Sequence, residues 1–174
     1  MRYSIFITGV VLAIALSQAR AEPPVTGRTA PCQAAQLAAV MTAAGGDDPP
    51  QQESLLVLRN TGQTACLLPP LPAITLHDAD HRPLKAGRRA PPGMFPGPVL
   101  LPVTVQPGGG AAVRLRWSAS RGGGGGRCIS PDFIMLHLPG GAVGAPFHGA
   151  MCVPEGAGGW FYQAPLRGWN DRPF

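Results

Sequence analysis

The stretch AAVRLRWS, residues 111–118, repeats with a period of two: Val113, Leu115 and Trp117 alternate with Arg114, Arg116 and Ser118. A β-strand sends successive side chains to opposite faces, so one face of this strand meets a core and the other meets water. Upstream lies a turn signal, Gln106-Pro107-Gly108-Gly109. Before it, residues 99–106 place Val99, Leu101, Val103 and Val105 inward, and Pro102 marks the strand as an edge or a bulge because it cannot donate to a ladder. Earlier still, Ile74 and Leu76 alternate with Thr75 and His77, ahead of a turn at Asp78-Ala79-Asp80-His81. SLLVLRN (54–60) and TACLL (64–68) flank Asn60-Thr61-Gly62 and read as a hairpin. Downstream, DFIMLHL (132–138), a short strand reaching Val153 and a last strand near WFYQAPL (160–166) complete a set of about seven strands. The fold class expected is all-β, an antiparallel sandwich. One segment departs from it. CQAAQLAAVMTAA (32–44) is alanine-rich, with Leu37, Val40 and Met41 at helical spacing, and predicts a short N-terminal helix stopped by Gly45-Gly46.

The N-terminus has a different character. Met1 and Arg2 precede an apolar run from Ile5 to Leu16, and Ala19-Arg20-Ala21 closes it with small residues around a cleavage point. This is the order of a secretory signal peptide, expected over residues 1–21. The apolar run is too short to cross a bilayer core of about 30 Å as a helix. The first cysteine, Cys32, lies well past Ala21, which argues against a lipid anchor. Residues 22–31 read as a flexible mature N-terminus, and 32–174 as one domain. The expected location is the periplasm or the medium, with no stable membrane insertion after cleavage.

Composition narrows the function. Gly 24 and Pro 21 favour turns over helices. Removing Arg2 and Arg20 from the formal net charge of +5 leaves a mild +3. The arginines are scattered, without the long basic stripe that nucleic acid requires. The four cysteines, Cys32, Cys66, Cys128 and Cys152, lie behind an export signal, so disulfides are expected. Three pairings are open, and the placement of the segments favours Cys32–Cys66 with Cys128–Cys152. No C-x-x-C exists for redox work, and no two cysteines have zinc-knuckle spacing.

Catalytic signals are absent from the sequence. Ser118, Ser120 and Ser130 lack a nucleophile-elbow context, and Asp47-Asp48 and Asp78/Asp80 sit in loop or turn surroundings. RGGGGGR (121–127) has neither the following helix nor the Lys-Ser/Thr pair of a phosphate loop. His77, His81, His137 and His148, with Met94, Met135 and Met151, raise an alternative of copper handling, because imidazole and thioether suit that metal. The strand period separates these residues, so no metal ligand set and no cofactor are expected.

The motifs Leu56–Leu58, Asn60-Thr61-Gly62, Cys66-Leu67, Leu71-Pro72 and Asp78-Ala79-Asp80 to Pro83-Leu84, then Pro107-Gly108-Gly109 and Arg116-Trp117, follow one another in a familiar order. Over most of residues 31–166 the chain resembles a bacterial exported family of unknown function, domain-of-unknown-function family 4232. The resemblance implies an immunoglobulin-like sandwich with disulfides and carries no enzymatic activity. The chain departs from the family pattern at AGRRAPPGMFPGP (86–98) and at RGGGGGR, and specific function is sought in such scaffold loops. The expectation is a non-enzymatic, exported domain with a binding or structural role in the cell envelope, its partner an unidentified protein or envelope component. Candidate contact residues are Arg88, Arg89, Met94 and Phe95 in the first loop, and Trp160, Phe161, Tyr162 and Trp169 in the tail.

Overall fold

A computed structural model describes residues 29–43, 51–89, 99–120, 126–155 and 160–169. The expected signal peptide and most of the expected mature N-terminus lie outside the described residues.

Among the described residues nearly all the regular structure is strand. In order these are β1 (Leu37–Ala43), β2 (Gln51–Asn60), β3 (Cys66–Leu68), β4 (Ala73–His77), β5 (Arg88–Arg89), β6 (Val103–Val105) and β7 (Gly110–Ser118). They continue with β8 (Arg127–Ile129), β9 (Phe133–Leu138), β10 (Gly141–Pro146), β11 (Met151–Val153), β12 (Phe161–Gln163) and β13 (Arg167–Trp169). The alternating stretch that opened the sequence reading, β7, is the centre of the molecule. It pairs antiparallel with β2 along one side and with β12 and β13 along the other. The eight-stranded sheet so formed runs β1-β2-β7-β11-β8, with β5 joined to β12. A three-stranded sheet, β10-β9-β4, and a two-stranded sheet, β3-β6, face it.

All three sheets supply one core. Leu56, Leu58, Val113, Leu115 and Trp117 come from the large sheet, Leu76, Ile134 and Leu136 from the second, and Leu68 and Val105 from the third. Fully burying each large aliphatic side chain contributes about 1.5–3 kcal/mol, which makes this contact the main source of stability. The expected alternation in β7 and β4 holds residue by residue: Val113 and Leu115 are fully buried, as is Leu76, while Arg116 is exposed.

Two disulfides complete the scaffold. Cys32–Cys66 is buried at both ends and ties the N-terminal segment to β3. That segment runs beside β3, with Cys32 N–H donating to Leu67 O and Leu67 N–H to Ala30 O. Cys128–Cys152 joins directly opposed residues of β8 and β11. The pairing is the one favoured from the sequence, and no described cysteine is free.

Three expectations are corrected. The alanine-rich segment is not a helix: only Ala34–Gln36 turns, as a 3₁₀ helix, and Leu37–Ala43 is strand β1. Leu37, Ala39 and Met41 pack on the core at a period of two, and Val40 is 52 % exposed. The same residues fit either period, and seven paired positions along β2 override the helix preference of alanine. The segments around Asn60-Thr61-Gly62 are not a hairpin either. Both sides of β2 are occupied by β1 and β7, so the chain crosses to the other layer and β3 pairs with β6. Finally, Val99 and Leu101 are 88 % and 74 % exposed. Pairing starts only after Pro102, which lacks the N–H a ladder needs.

The turn Asn60-Thr61-Gly62 has a further role. Asn60 is fully buried. Its Nδ2 donates to Thr64 O at 2.8 Å and to Val105 O at 3.1 Å, and its Oδ1 accepts from Gly62 N–H at 2.9 Å. Its backbone is bonded to Gly108 and Gly109. Gly109 N–H donates back to Gln106 O, and Gly108 has φ 71°, so residues 106–109 form a type II turn that demands glycine at its third position.

Candidate functional site

The short strand β5 is the foot of the proline-rich loop, and it lies parallel to β12 in the aromatic tail. Phe161 stands beside Arg88 and Tyr162 beside Arg89. Two segments nominated separately from the sequence are therefore neighbours on one sheet edge. The Arg89 guanidinium stacks 5.2 Å from the Tyr162 ring centroid, and its Nη1 donates to Tyr162 Oη at a long 3.4 Å. Trp160 N–H donates to Gly87 O at 2.8 Å, which locks β5 against the tail.

The glycine-rich loop ends at the same place. Arg127, the first residue of β8, puts its guanidinium 5.8 Å from the Trp160 ring centroid. Strand β8 is held by β11 and by the Cys128–Cys152 bond, so Arg127 projects from a fixed stem. The sequence reading missed Arg127. Its position at the end of the glycine run was the available signal, but pairing with Trp160 arises only from the fold.

A guanidinium held over an aromatic ring presents several N–H donors, and Arg89 directs one of its own to Tyr162 Oη. Two such contacts, Arg89 with Tyr162 and Arg127 with Trp160, stand on one edge, and exposed Arg88 precedes Arg89 in β5. Guanidinium N–H groups are chemically suited to carboxylate or phosphate.

The other candidates divide. Phe161 is a core residue at 1 % exposure, which takes it off the candidate surface. Trp169 pairs with Gly110 at the far end of β7 and packs against Leu55, Val57 and Ala112. Met94 and Phe95 lie outside the described residues.

The residues behind the copper alternative divide: Met135 stands opposite Thr75 on the face of β4 and β9 that also carries His77 and His137, while Met151 belongs to β11 and His148 follows β10. Met151 is fully buried, Met94 is outside the described residues, and His148 borders an open apolar groove of about 390 Å³ with Met41, Trp117 and Phe147. His81 stacks on Phe133 with ring centroids 4.3 Å apart. His77 and His137 do converge, both on Thr75 Oγ1, at 2.9 and 2.8 Å. His77 Nδ1–H donates to His81 O, so in the neutral ring Nε2 accepts the Thr75 proton and His137 Nε2–H donates to the same oxygen. Each imidazole is thus occupied by a structural hydrogen bond. Among the described residues no group of three His, Cys, Asp or Glu is placed to hold a metal ion, and no helix is long and apolar enough to cross a membrane.

No curated protein and no solved structure matches this chain. A family pattern matches residues 32–164, a span that holds both disulfides, the central strand β7 and the aromatic strand β12. The chain belongs to the family described as Domain of unknown function (DUF4232).

Proposed function

We propose that this chain is an exported, non-catalytic binding module of the cell envelope. It contacts a protein or envelope component through the edge that carries Arg88, Arg89, Arg127, Trp160 and Tyr162. One observation supports this reading above the others: the proline-rich stretch that contains Arg88 and Arg89 and the glycine-rich run that ends at Arg127 both adjoin this edge, beside arginine–aromatic contacts. Rigid strands that present irregular loops are a common basis for recognition. Two disulfides are consistent with an oxidising, non-cytoplasmic compartment, which an exported protein requires.

The test is retention by the envelope. The wild-type chain and the double variant Arg88→Ala/Arg127→Ala are expressed with the native N-terminus, and cells are fractionated. Both residues are exposed, so the variant should melt like the wild type. The wild type is expected in the envelope fraction and the variant in the soluble fraction. Equal retention of the two proteins would rule out this edge as the contact.

A further inference from the structure

The outer face of the eight-stranded sheet gathers positive charge, and the strand register says which residues share it. Glu53 stands opposite Arg116, and Arg116 opposite Tyr162, which stands beside Arg89. Two residues along, Leu55 stands opposite Arg114. Two further, Val57 faces Ala112 and Ala112 faces Arg167. The last row is Arg59, Gly110 and Trp169. Five guanidiniums therefore share a face with one described carboxylate. Glu53 lies 3.3 Å from Arg114 and 3.0 Å from Arg116. Of the other described acids, Asp78, Asp80 and Asp132 belong to the β4–β9 end of the opposite sheet, and Glu155 follows β11 at the margin of the large sheet. Arg59, Arg116 and Arg167 are exposed. Between Arg114 and Arg167 a groove of about 200 Å³ opens, with Leu55, Ala112, Ala164 and Pro165 as its apolar walls.

Three features select the occupant. The charges are spread in two dimensions, at steps of about 4.8 Å across strands and about 7 Å along them. A linear polyanion would follow one row and leave the others unmatched, whereas a plane of anionic groups meets all of them. The groove is bordered by exposed Arg167 and by Arg114, which also pairs with Glu53, and it has an apolar floor for the carbon atoms attached to a phosphate. Tyr162 and Trp169 share the face, and such rings favour the boundary between water and lipid. From this we infer that the outer face of the large sheet docks on a membrane surface rich in anionic phospholipid. The inference rests on the reading of the chain as an envelope-binding module, and it names the component while using a face that shares Arg89 and Tyr162 with that edge.

The experiment is vesicle flotation of the purified protein with its disulfides intact. One set of vesicles is phosphatidylcholine alone; the other contains about one-third phosphatidylglycerol. Flotation is expected only with the second set, and raising salt to about 0.5 M should abolish it by screening. Each arginine removed weakens binding roughly five-fold, so Arg116→Gln/Arg167→Gln should weaken it about 25-fold while circular dichroism and melting stay unchanged. Binding to both vesicle types alike, to neither, or equally by the variant would each overturn the inference. So would displacement from vesicles by soluble polyglutamate at matched charge, which would mark the face as a site for an acidic protein. Should flotation fail while envelope retention still depends on Arg88 and Arg127, this inference falls and the binding-module reading stands.

Discussion

Replacing Asn60 by alanine should be among the most damaging single changes in the molecule. The side chain makes three hydrogen bonds, to Thr64 O, Val105 O and Gly62 N–H, from a fully buried position. Alanine removes all three and takes a partner from the buried Val105 carbonyl and from two partly buried backbone groups. Net hydrogen bonds contribute about 1 kcal/mol each, and an orphaned buried group costs about 1–3 kcal/mol. A loss of about 2–4 kcal/mol follows, against a total stability of roughly 5–15 kcal/mol. For a domain of this size that lowers the melting midpoint by about 5–15 °C. The assay is calorimetry on the non-reduced protein, with Thr61→Ala as the comparison. Thr61 donates from an exposed site to Gln36 O, where water replaces the lost bond, so its midpoint should fall much less. Asn60→Asp sharpens the test. Its second carboxylate oxygen would face two carbonyl oxygens, and that, with burial, raises the folded-state pKa of the new acid. Stability then persists below the unfolded pKa of about 3.9 and is lost as pH rises through the raised folded value, so this variant should be weaker at about pH 7 than at about pH 4. An Asn60→Ala midpoint within about 2 °C of wild type would refute the placement of this residue as a buried junction.

Other outcomes are equally specific. Mild dithiol treatment should open Cys128–Cys152 before Cys32–Cys66, because Cys128 is partly exposed and the other pair is buried at 0 % and 2 %; mass spectrometry after alkylation reads the order, and simultaneous reduction would contradict it. Each bridge closes a loop, of 34 and 24 residues, so removing either by Cys→Ser pairs should cost about 3–4 kcal/mol in the chain-entropy account, seen as a large drop in midpoint. Gly108→Ala should destabilise by about 1–2 kcal/mol in denaturant titration, since φ is 71° there, whereas Gly87→Ala, with open space around it, should cost less. Titration of the oxidised mature chain with copper, followed by mass analysis, should give no stoichiometric complex; one equivalent bound tightly would revive the metal alternative.

How much was legible depended on how locally each feature is encoded. The alternation of Val113, Leu115 and Trp117 with arginines needs no partner to be read, and it named the central strand. Four cysteines behind a signal-like N-terminus were similarly direct. The edge site was half legible. Arg88, Arg89, Trp160 and Tyr162 were visible as unusual residues, but nothing in the order of the chain says that β5 lies beside β12, because that pairing is parallel and joins residues 73 positions apart. Strand β1 was misread because alanine, leucine and methionine favour helices when isolated, and only β2 beside them forces the extended form. Strand β10, GAVGAP, carries residues that rarely form strands alone; its register with β9 and the Pro139-Gly140 turn impose it. The arginine face is the extreme case, since its residues come from five strands and become a set only through register.

One row of residues has consequences for how this scaffold tolerates change. Ser118, the last residue of β7, stands opposite Cys152, and Cys152 stands opposite Cys128 of β8. The two ends of the connection from β7 to β8 are therefore clamped to the same strand from opposite sides, one by ladder bonds and one by sulfur. With its endpoints pinned, that connection can grow without disturbing the sheet, because doubling a closed loop costs only about 0.6 kcal/mol. This makes the span an insertion port, suited to receiving foreign peptides for display.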